Sequence, residues 1–336
     1  MQPTNKSNTL KILLGLAVIY VVWGSTYLAI RVAVETIPPF FMASSRFLVG
    51  GVLVASTLWL LHGFHLTKRQ WFDNAIVGGF MILGGNGLVS WAETSIPSGI
   101  ATLIVSMNPL FFVLGEWAVA VFRKDPHSSS HPNWLTFVGL GLGTAGLLIL
   151  IGPAFLSVSE EPLEPMPVIA LVMACLCWTI GSLYSRYSKN AADPFTGSAA
   201  QMLCGGLWLL LVSVLLGEVQ NFSPGLVSFE SIYAWLYLVV AGSLIAFPIF
   251  VWLMKNGSPT IVSTYAYVNP VVAVILGWWI MNEKIDARIF SASAAIVAGV
   301  ALISYSKHSL KAPVEPESPV APESPVRPEV SVEPEA

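Results

Sequence analysis

The sequence predicts an all-α polytopic membrane protein with ten transmembrane helices, arranged as two inverted five-helix repeats. Three observations predict it. Hydrophobic residues fill 55% of the 336 positions and charged residues 10%, too few to clothe a water-soluble domain. Ten apolar stretches have the length, about 17–25 residues, that crosses a hydrocarbon core roughly 30 Å thick. Landmarks of the first five stretches recur in the same order in the second five.

The first stretch, 12–34, is too long for the apolar core of a signal peptide and shows no clear cleavage site, so it is read as a span. The second, 39–61, opens on Pro39 and contains Gly50-Gly51. The third, 74–92, holds the flexible Gly84-Gly85, and the fourth, 98–121, carries Asn108-Pro109 within "SMNPLFFVLGEW". The fifth, 134–152, includes "GLGLGTAG", a string of small residues that lets helices approach closely. The second half repeats this order at 167–185, 195–217, 231–254, 259–281 and 287–306. Pro194 and Gly205-Gly206 stand 155 residues after Pro39 and Gly50-Gly51, while Asn269-Pro270 stands 161 after Asn108-Pro109. Five is odd, so the second copy is upside down in the membrane relative to the first. Inverted repeats with interrupted helices at their interface are a plan of secondary transporters. The domains are therefore 12–152, 167–306 and a tail, 311–336, whose Pro- and Glu-rich repeats cannot form a core and read as disordered.

Charge sets the orientation. With the N-terminus inside, the inner segments gather Lys6, Lys11, Lys68, Arg69, Arg123, Lys124, Arg186, Lys189, Lys255, Lys307 and Lys311. The outer segments hold Arg31, Lys284 and Arg288 beside Glu35, Glu160, Glu161, Glu164, Glu218 and Glu230. This bias places both termini in the cytoplasm.

Polar residues at helical spacing are the binding candidates. Trp23, Thr26 and Tyr27 share a face, as do Asn86, Ser90 and Glu93, Trp178 and Ser182, and Tyr265 and Asn269. Asn108 joins them beside Pro109. Aromatic walls with a few amides and hydroxyls suit amphipathic organic solutes rather than bare ions. The alternative use of each stripe is hydrogen bonding between helices. Ionisable residues within spans are costly, which makes Arg46, Glu93 and Glu116 candidates for coupling or gating. Glu93 is the expected partner of Arg46, either as a structural ion pair or as part of a gate. Glu116 either titrates as a proton-coupling group or reaches toward the inner interface. Pro109 and Pro270 each remove a helix hydrogen bond, so each span is expected to bend just before its proline and to act as a hinge.

Nothing reads as a phosphate-binding loop, a nucleophile with its base, or a metal site, so no enzyme, cofactor or metal is expected. His62 and His65 read as loop residues. Cys175, Cys177 and Cys204 lie within spans and read as small buried apolar residues. The expected partners are a small-molecule substrate, the lipid bilayer and, through the small-residue faces, a second copy in a homodimer. No nucleic acid is expected.

"VWGSTYLAIRV", "GGNGLVSWAE", "PSGIATLIV" and "YAYVNPVVAVILG" resemble the EamA-type carriers of the drug/metabolite transporter superfamily. The resemblance covers roughly 10–306 and implies a ten-helix export carrier with a central cavity in a bacterial inner membrane. It departs at the end of the fourth span, where Phe122-Arg123 replaces the acidic motif that the second half keeps as Glu283. The expected function is secondary-active export of small, amino-acid-like metabolites or xenobiotics by alternating access. An uptake permease or exchanger is the alternative within transport, and a membrane scaffold or intramembrane enzyme the alternative outside it.

The orientation is testable. A reporter active only in the periplasm, fused after Leu310, is expected to be silent; activity there would mean an odd number of spans and would remove the inverted-repeat plan.

Overall fold

The computed structural model describes residues 6–96, 98–123, 134–156, 165–188 and 192–281, and beyond these only 287, 290, 291, 294, 295, 298, 299, 301 and 302. The tail and most of the predicted tenth span lie outside the described residues, as does Glu283. The described residues form helices and no strand. Six helical stretches are long and apolar enough to cross a membrane: Thr9–Ala33, Pro39–His62, Lys68–Ala92, Pro165–Tyr187, Pro194–Leu215 and Phe229–Asn256. Large apolar side chains point away from the bundle, among them Leu60, 76% exposed, and Phe122, 86% exposed. An apolar exterior of this kind suits lipid, since water-soluble proteins rarely expose such patches.

Helix α1 (Lys6–Ala33) is followed by α2 (Pro39–His62), whose first residue is a proline at a position where no amide donor is needed. Helix α3 (Lys68–Gly78) starts in a capping box between Thr67 and Gln70. It runs into a π-helical tract, Gly79–Gly87, and then α4 (Leu88–Ala92). Helices α5 (Ser98–Val105) and α6 (Asn108–Arg123) are two pieces of the predicted fourth span, and α7 (Trp134–Leu156) follows. Helix α8 (Pro165–Tyr187) precedes α9 (Pro194–Leu215), which also opens on a proline, with Asp193 capping Phe195 and Thr196. The short α10 (Glu218–Asn221) leads to α11 (Phe229–Tyr237), a second π-helical tract at Leu238–Ala246, and α12 (Phe247–Asn256). The predicted ninth span is again in two pieces, α13 (Pro259–Val262) and α14 (Tyr265–Met281).

Two features locate the interior. Helices α2 and α9 pack along each other, and the glycine pairs that stand 155 residues apart lie at that crossing. A Cβ on Gly51 would come within 3.0 Å of the Leu203 amide, and one on Gly206 within 3.2 Å of the Leu48 amide. Ser44 adds a hydrogen bond to the Gly206 carbonyl at 3.0 Å. Close backbone approach between small residues is what holds helices together where lipid offers no hydrophobic incentive. The second feature is the pair of nine-residue π tracts, which widen the helix to i→i+5 bonding. In the first tract Gly84 and Gly85 leave room for α8: an added Cβ would meet Cys177 Cβ or Trp178 Cε3 at 2.8 Å.

Arginines tie the ends of the bundle. At the end carrying the 34–38 turn, Arg31 donates to the backbone carbonyls of Glu93 and Thr94. At the end carrying the 63–67 loop, Arg186 donates to the carbonyls of Met254 and Gly257. Arg186 stands 155 residues after Arg31, and Met254 stands 161 after Glu93, the same spacings found among the prolines and glycines. Each arginine satisfies carbonyls at a helix end that lack an intrahelical donor. Glu218 does the converse for α2, accepting from the Phe41 amide at 2.9 Å and from Ser213 at 2.9 Å.

Packing at the α3/α9 contact yields a stability test. A Cβ on Gly78 would stand 2.7 Å from both the Gln201 carbonyl oxygen and the Gly205 amide, which are backbone atoms unable to swing aside. Gly78→Ala is expected to cost about 1–3 kcal/mol through overpacking. Gly141, which has nothing within 4 Å of an added Cβ, provides the control. Thermal unfolding in detergent should show a fall for Gly78→Ala and none for Gly141→Ala; equal melting would mean the α3/α9 contact is loose.

Candidate functional site

The interrupted helices and the π tracts meet around one cavity of about 630 Å³. Helix α1 contributes Trp23, Thr26, Tyr27 and Ile30; α2 contributes Arg46 and Phe47; the first π tract contributes Gly85 and Asn86. Across from them stand Val105, Asn108, Cys175, Trp178, Phe247 and Tyr265, with Gly242 of the second tract. Toward the 63–67 end the floor is aromatic. Trp23 packs edge-on against Trp178 at 5.5 Å and Tyr265 at 4.7 Å, and tilts against Phe250 at 5.0 Å. Offset and edge-to-face contacts of this kind are favourable beyond their buried area. Below the floor, Tyr20 and Thr264 share a hydrogen bond of 2.6 Å. Further toward that end Asp73 accepts from Tyr184 at 2.9 Å and Ser188 at 3.1 Å, and Arg69 pairs with it at 3.2 Å. Gln201 bridges Asn74 and Ser185, and Lys255 donates to the Ala192 carbonyl. The cavity is thus closed on that side by rings and then by a polar belt.

Of the predicted binding residues, Trp23, Thr26, Tyr27, Asn86, Asn108, Trp178 and Tyr265 line the cavity. Ser90, Ser182 and Asn269 do not. Their side chains are buried between helices, and their polar atoms make no hydrogen bond among the described residues. Ser90 misses the wall because the π tract before it changes the register: the α-helical i+4 rule that joins it to Asn86 does not hold through i→i+5 turns. Asn269 is 1% exposed and lies beside the Tyr27 hydroxyl without closing a hydrogen bond. Asn108 reaches Tyr265 with its amide nitrogen at 3.5 Å, and its carbonyl oxygen stays without a partner.

The expected Arg46–Glu93 pair is not formed. Among the described residues Arg46 hydrogen-bonds Asn86 Oδ1 at 2.5 Å, and both carboxylate oxygens of Glu93 are buried without a hydrogen bond. Arg31 holds the main-chain carbonyl of Glu93 instead, which fixes the helix end but leaves the side chain apart. Glu116 does not reach the surface either: it is buried and accepts a hydrogen bond from Thr260 of α13.

The two prolines are not equivalent. In the first half the helix is broken at Ser106-Met107, immediately before Asn108-Pro109. In the second half the break is at Ser263-Thr264, and Pro270 lies inside α14, so the expected bend just before it is displaced by six residues. The reason is local. Ser263 and Thr264 bond back to the Thr260 and Ile261 carbonyls, offering the chain an alternative to helix there. Pro270 frees the Ala266 carbonyl, and the Ser106 hydroxyl, shared with Thr102, reaches it at 2.9 Å. Each break therefore supports the other. Sequence reading missed Ser106, whose only signal was its place in "SMNP", and it passed over Phe47 and Cys175, which spacing could not aim at the cavity.

Residues 10–152 and 165–305 each match the EamA-like transporter family. The chain is 33% identical over 300 residues to the inner membrane transporter YedA of Escherichia coli strain K12, covering 89% of this chain and 92% of that one. It is 27% identical over 303 residues to protein PecM of Dickeya dadantii, covering 85% and 92%. A protein crystal structure aligns with a TM-score of 0.70 at 21% identity, covering 92% of this chain and all (100%) of that chain, a likeness of fold.

The shared hydroxyl can be tested by a double-mutant cycle. Ser106→Ala should cost about 1–3 kcal/mol by leaving a buried carbonyl unsatisfied. In a Pro270→Ala background, where residue 270 regains its amide donor, the cost should fall to less than half. Equal losses in both backgrounds would assign the stability to the Thr102 bond alone.

Proposed function

Because this chain belongs to the EamA-like transporter family, within the drug/metabolite transporter superfamily, we propose that it is a secondary-active carrier of small amphipathic organic solutes in a bacterial inner membrane. The observation that carries this reading is the cavity between the halves, walled by Trp23, Tyr27, Phe47, Trp178 and Tyr265 and holding the polar groups of Arg46, Asn86 and Asn108. Its volume of about 630 Å³ falls in the range of small-molecule sites, roughly 300–1,000 Å³. The position of the cavity among interrupted helices supports transport over a scaffold role, since irregular backbone persists at membrane depth only beside protein or a cavity.

The proposed architecture is ten spans in two inverted five-helix repeats, supported by the twofold family match and by the paired spacings of prolines, glycines and arginines. Alternating access then exchanges the roles of the two ends. The aromatic floor and polar belt open while the arginine-tied end at Glu93 and Thr94 closes. The breaks at 106–107 and 263–264, with Pro109 and Pro270 near them, serve as the hinges; full activity of the Pro270→Ala variant would remove that role from Pro270. Export is the direction the family resemblance implies. Glu116 is the proposed proton-coupling group. As a carboxylate it accepts from Thr260 across the α6/α13 contact, and a proton on it would weaken that tie between pieces of the two halves.

Purified protein in liposomes provides the test. Flux of at least one solute from a panel of amino acids, nucleosides and cationic dyes is expected, driven by a pH gradient. In Glu116→Gln the pH gradient should no longer drive accumulation while solute exchange continues. Absence of flux across the panel would overturn the carrier reading; full proton response in Glu116→Gln would move coupling elsewhere.

A further inference from the structure

Arg46 is a permanent positive charge on the cavity wall, only 4% exposed. A buried cation persists when acceptors take up its donors, and a guanidinium has five N–H groups to place. Among the described residues its hydrogen bond is to Asn86, a neutral amide. Its Nε is buried with no partner. The Phe47 ring, with its centroid 4.5 Å from the guanidinium carbon, orients the group without neutralising it.

The surrounding charges leave an excess. Glu93 and Arg31 are the ionisable groups that act electrostatically within this cluster. Among the described residues Glu93 forms no ion pair with either arginine, and Arg31 spends its hydrogen bonds on the carbonyls of Glu93 and Thr94. Two cations and one carboxylate leave a formal charge of +1, and Arg46 presents it to the cavity. The rest of the wall is aromatic, with Trp23, Tyr27, Trp178 and Phe247 able to cover a flat apolar body.

We propose that the cavity binds an organic anion, a carboxylate carried on an aromatic body, with Arg46 receiving the carboxylate and Asn86 holding the guanidinium in place. Planar carboxylates match the guanidinium fork in two parallel hydrogen bonds, which a lone amide cannot supply. This inference rests on the cavity being the substrate site. It adds the charge of the solute and the residue that reads it.

Calorimetric binding to the purified full-length protein tests it with three probes of similar shape: indole-3-acetate, the neutral indole-3-acetamide and the cationic tryptamine. The carboxylate is expected to bind at least about tenfold more tightly than the amide, as a charge-assisted hydrogen bond predicts, with tryptamine weakest. In Arg46→Gln the preference for acetate over amide should fall to about one, and in Arg46→Lys it should be kept in part. Melting temperatures measured alongside separate a folding defect from a binding defect, and the wild-type ranking decides even if Arg46→Gln does not fold. If the amide binds wild type as tightly as the acetate, the anion assignment is overturned while the cavity stands as a binding site. If Arg46→Gln keeps a tenfold preference, Arg46 is not the reader. Failure of all three probes to bind would overturn the inference together with the cavity reading beneath it.

Discussion

A backbone carbonyl inside a bilayer has no water to accept from, so every departure from α-helix must be met by a donor from elsewhere in the protein. Here the departures are concentrated, and so are the donors. Ser106 supplies the carbonyl that Pro270 frees, while Arg31 and Arg186 supply carbonyls at the ends of α4 and α12. Breaks can therefore exist only where a second helix presents a suitable side chain. The cavity lies among the breaks because both need that interior, where backbone lacks a regular partner and packed side chains thin out.

Close approach is the second condition. Glycines at the α2/α9 and α3/α9 contacts bring backbones together on one side of the molecule, and Gly84-Gly85 admits Trp178 on another. With these contacts tight, the bulky aromatic residues have one place left to gather, and they form the cavity floor. The same glycines that seal the periphery thus set the depth of the site. Buried charge is treated differently at the two ends: Glu116 has Thr260, whereas Glu93 and the Nε of Arg46 have no direct hydrogen-bond partner among the described residues. That asymmetry gives the cavity its positive wall.

Much of this was legible in the sequence. The six long helices fall close to predicted spans, because apolar length is a direct consequence of membrane thickness, and the seven cavity-lining residues predicted from spacing stand near the middle of helices with ordinary periodicity. What was not legible depends on irregular backbone. The stripe from Asn86 to Ser90 assumed 3.6 residues per turn through a tract that does not keep it. The bend expected at Pro270 moved to Ser263-Thr264 because hydroxyl groups there compete for the backbone, and the carbonyl beneath Pro270 found Ser106 from the other half. The Arg46–Glu93 pair failed for a related reason: depth along a helix gives the height of a charge, and not the direction in which its side chain leaves.

The π tracts have a consequence for how this chain tolerates change in length. A turn bonded i→i+5 encloses one more residue than an α turn, so each tract behaves as an α-helix carrying an insertion. Deleting one residue between Gly79 and Gly87 would let the segment relax to ordinary helix, with every hydrogen bond intact. The piece beyond it, however, would turn by about 100° relative to the piece before. Val89 would leave the cavity wall, and the Glu93 carbonyl would leave Arg31. A chain shortened by a single residue there would fold as a better helix and present the wrong face.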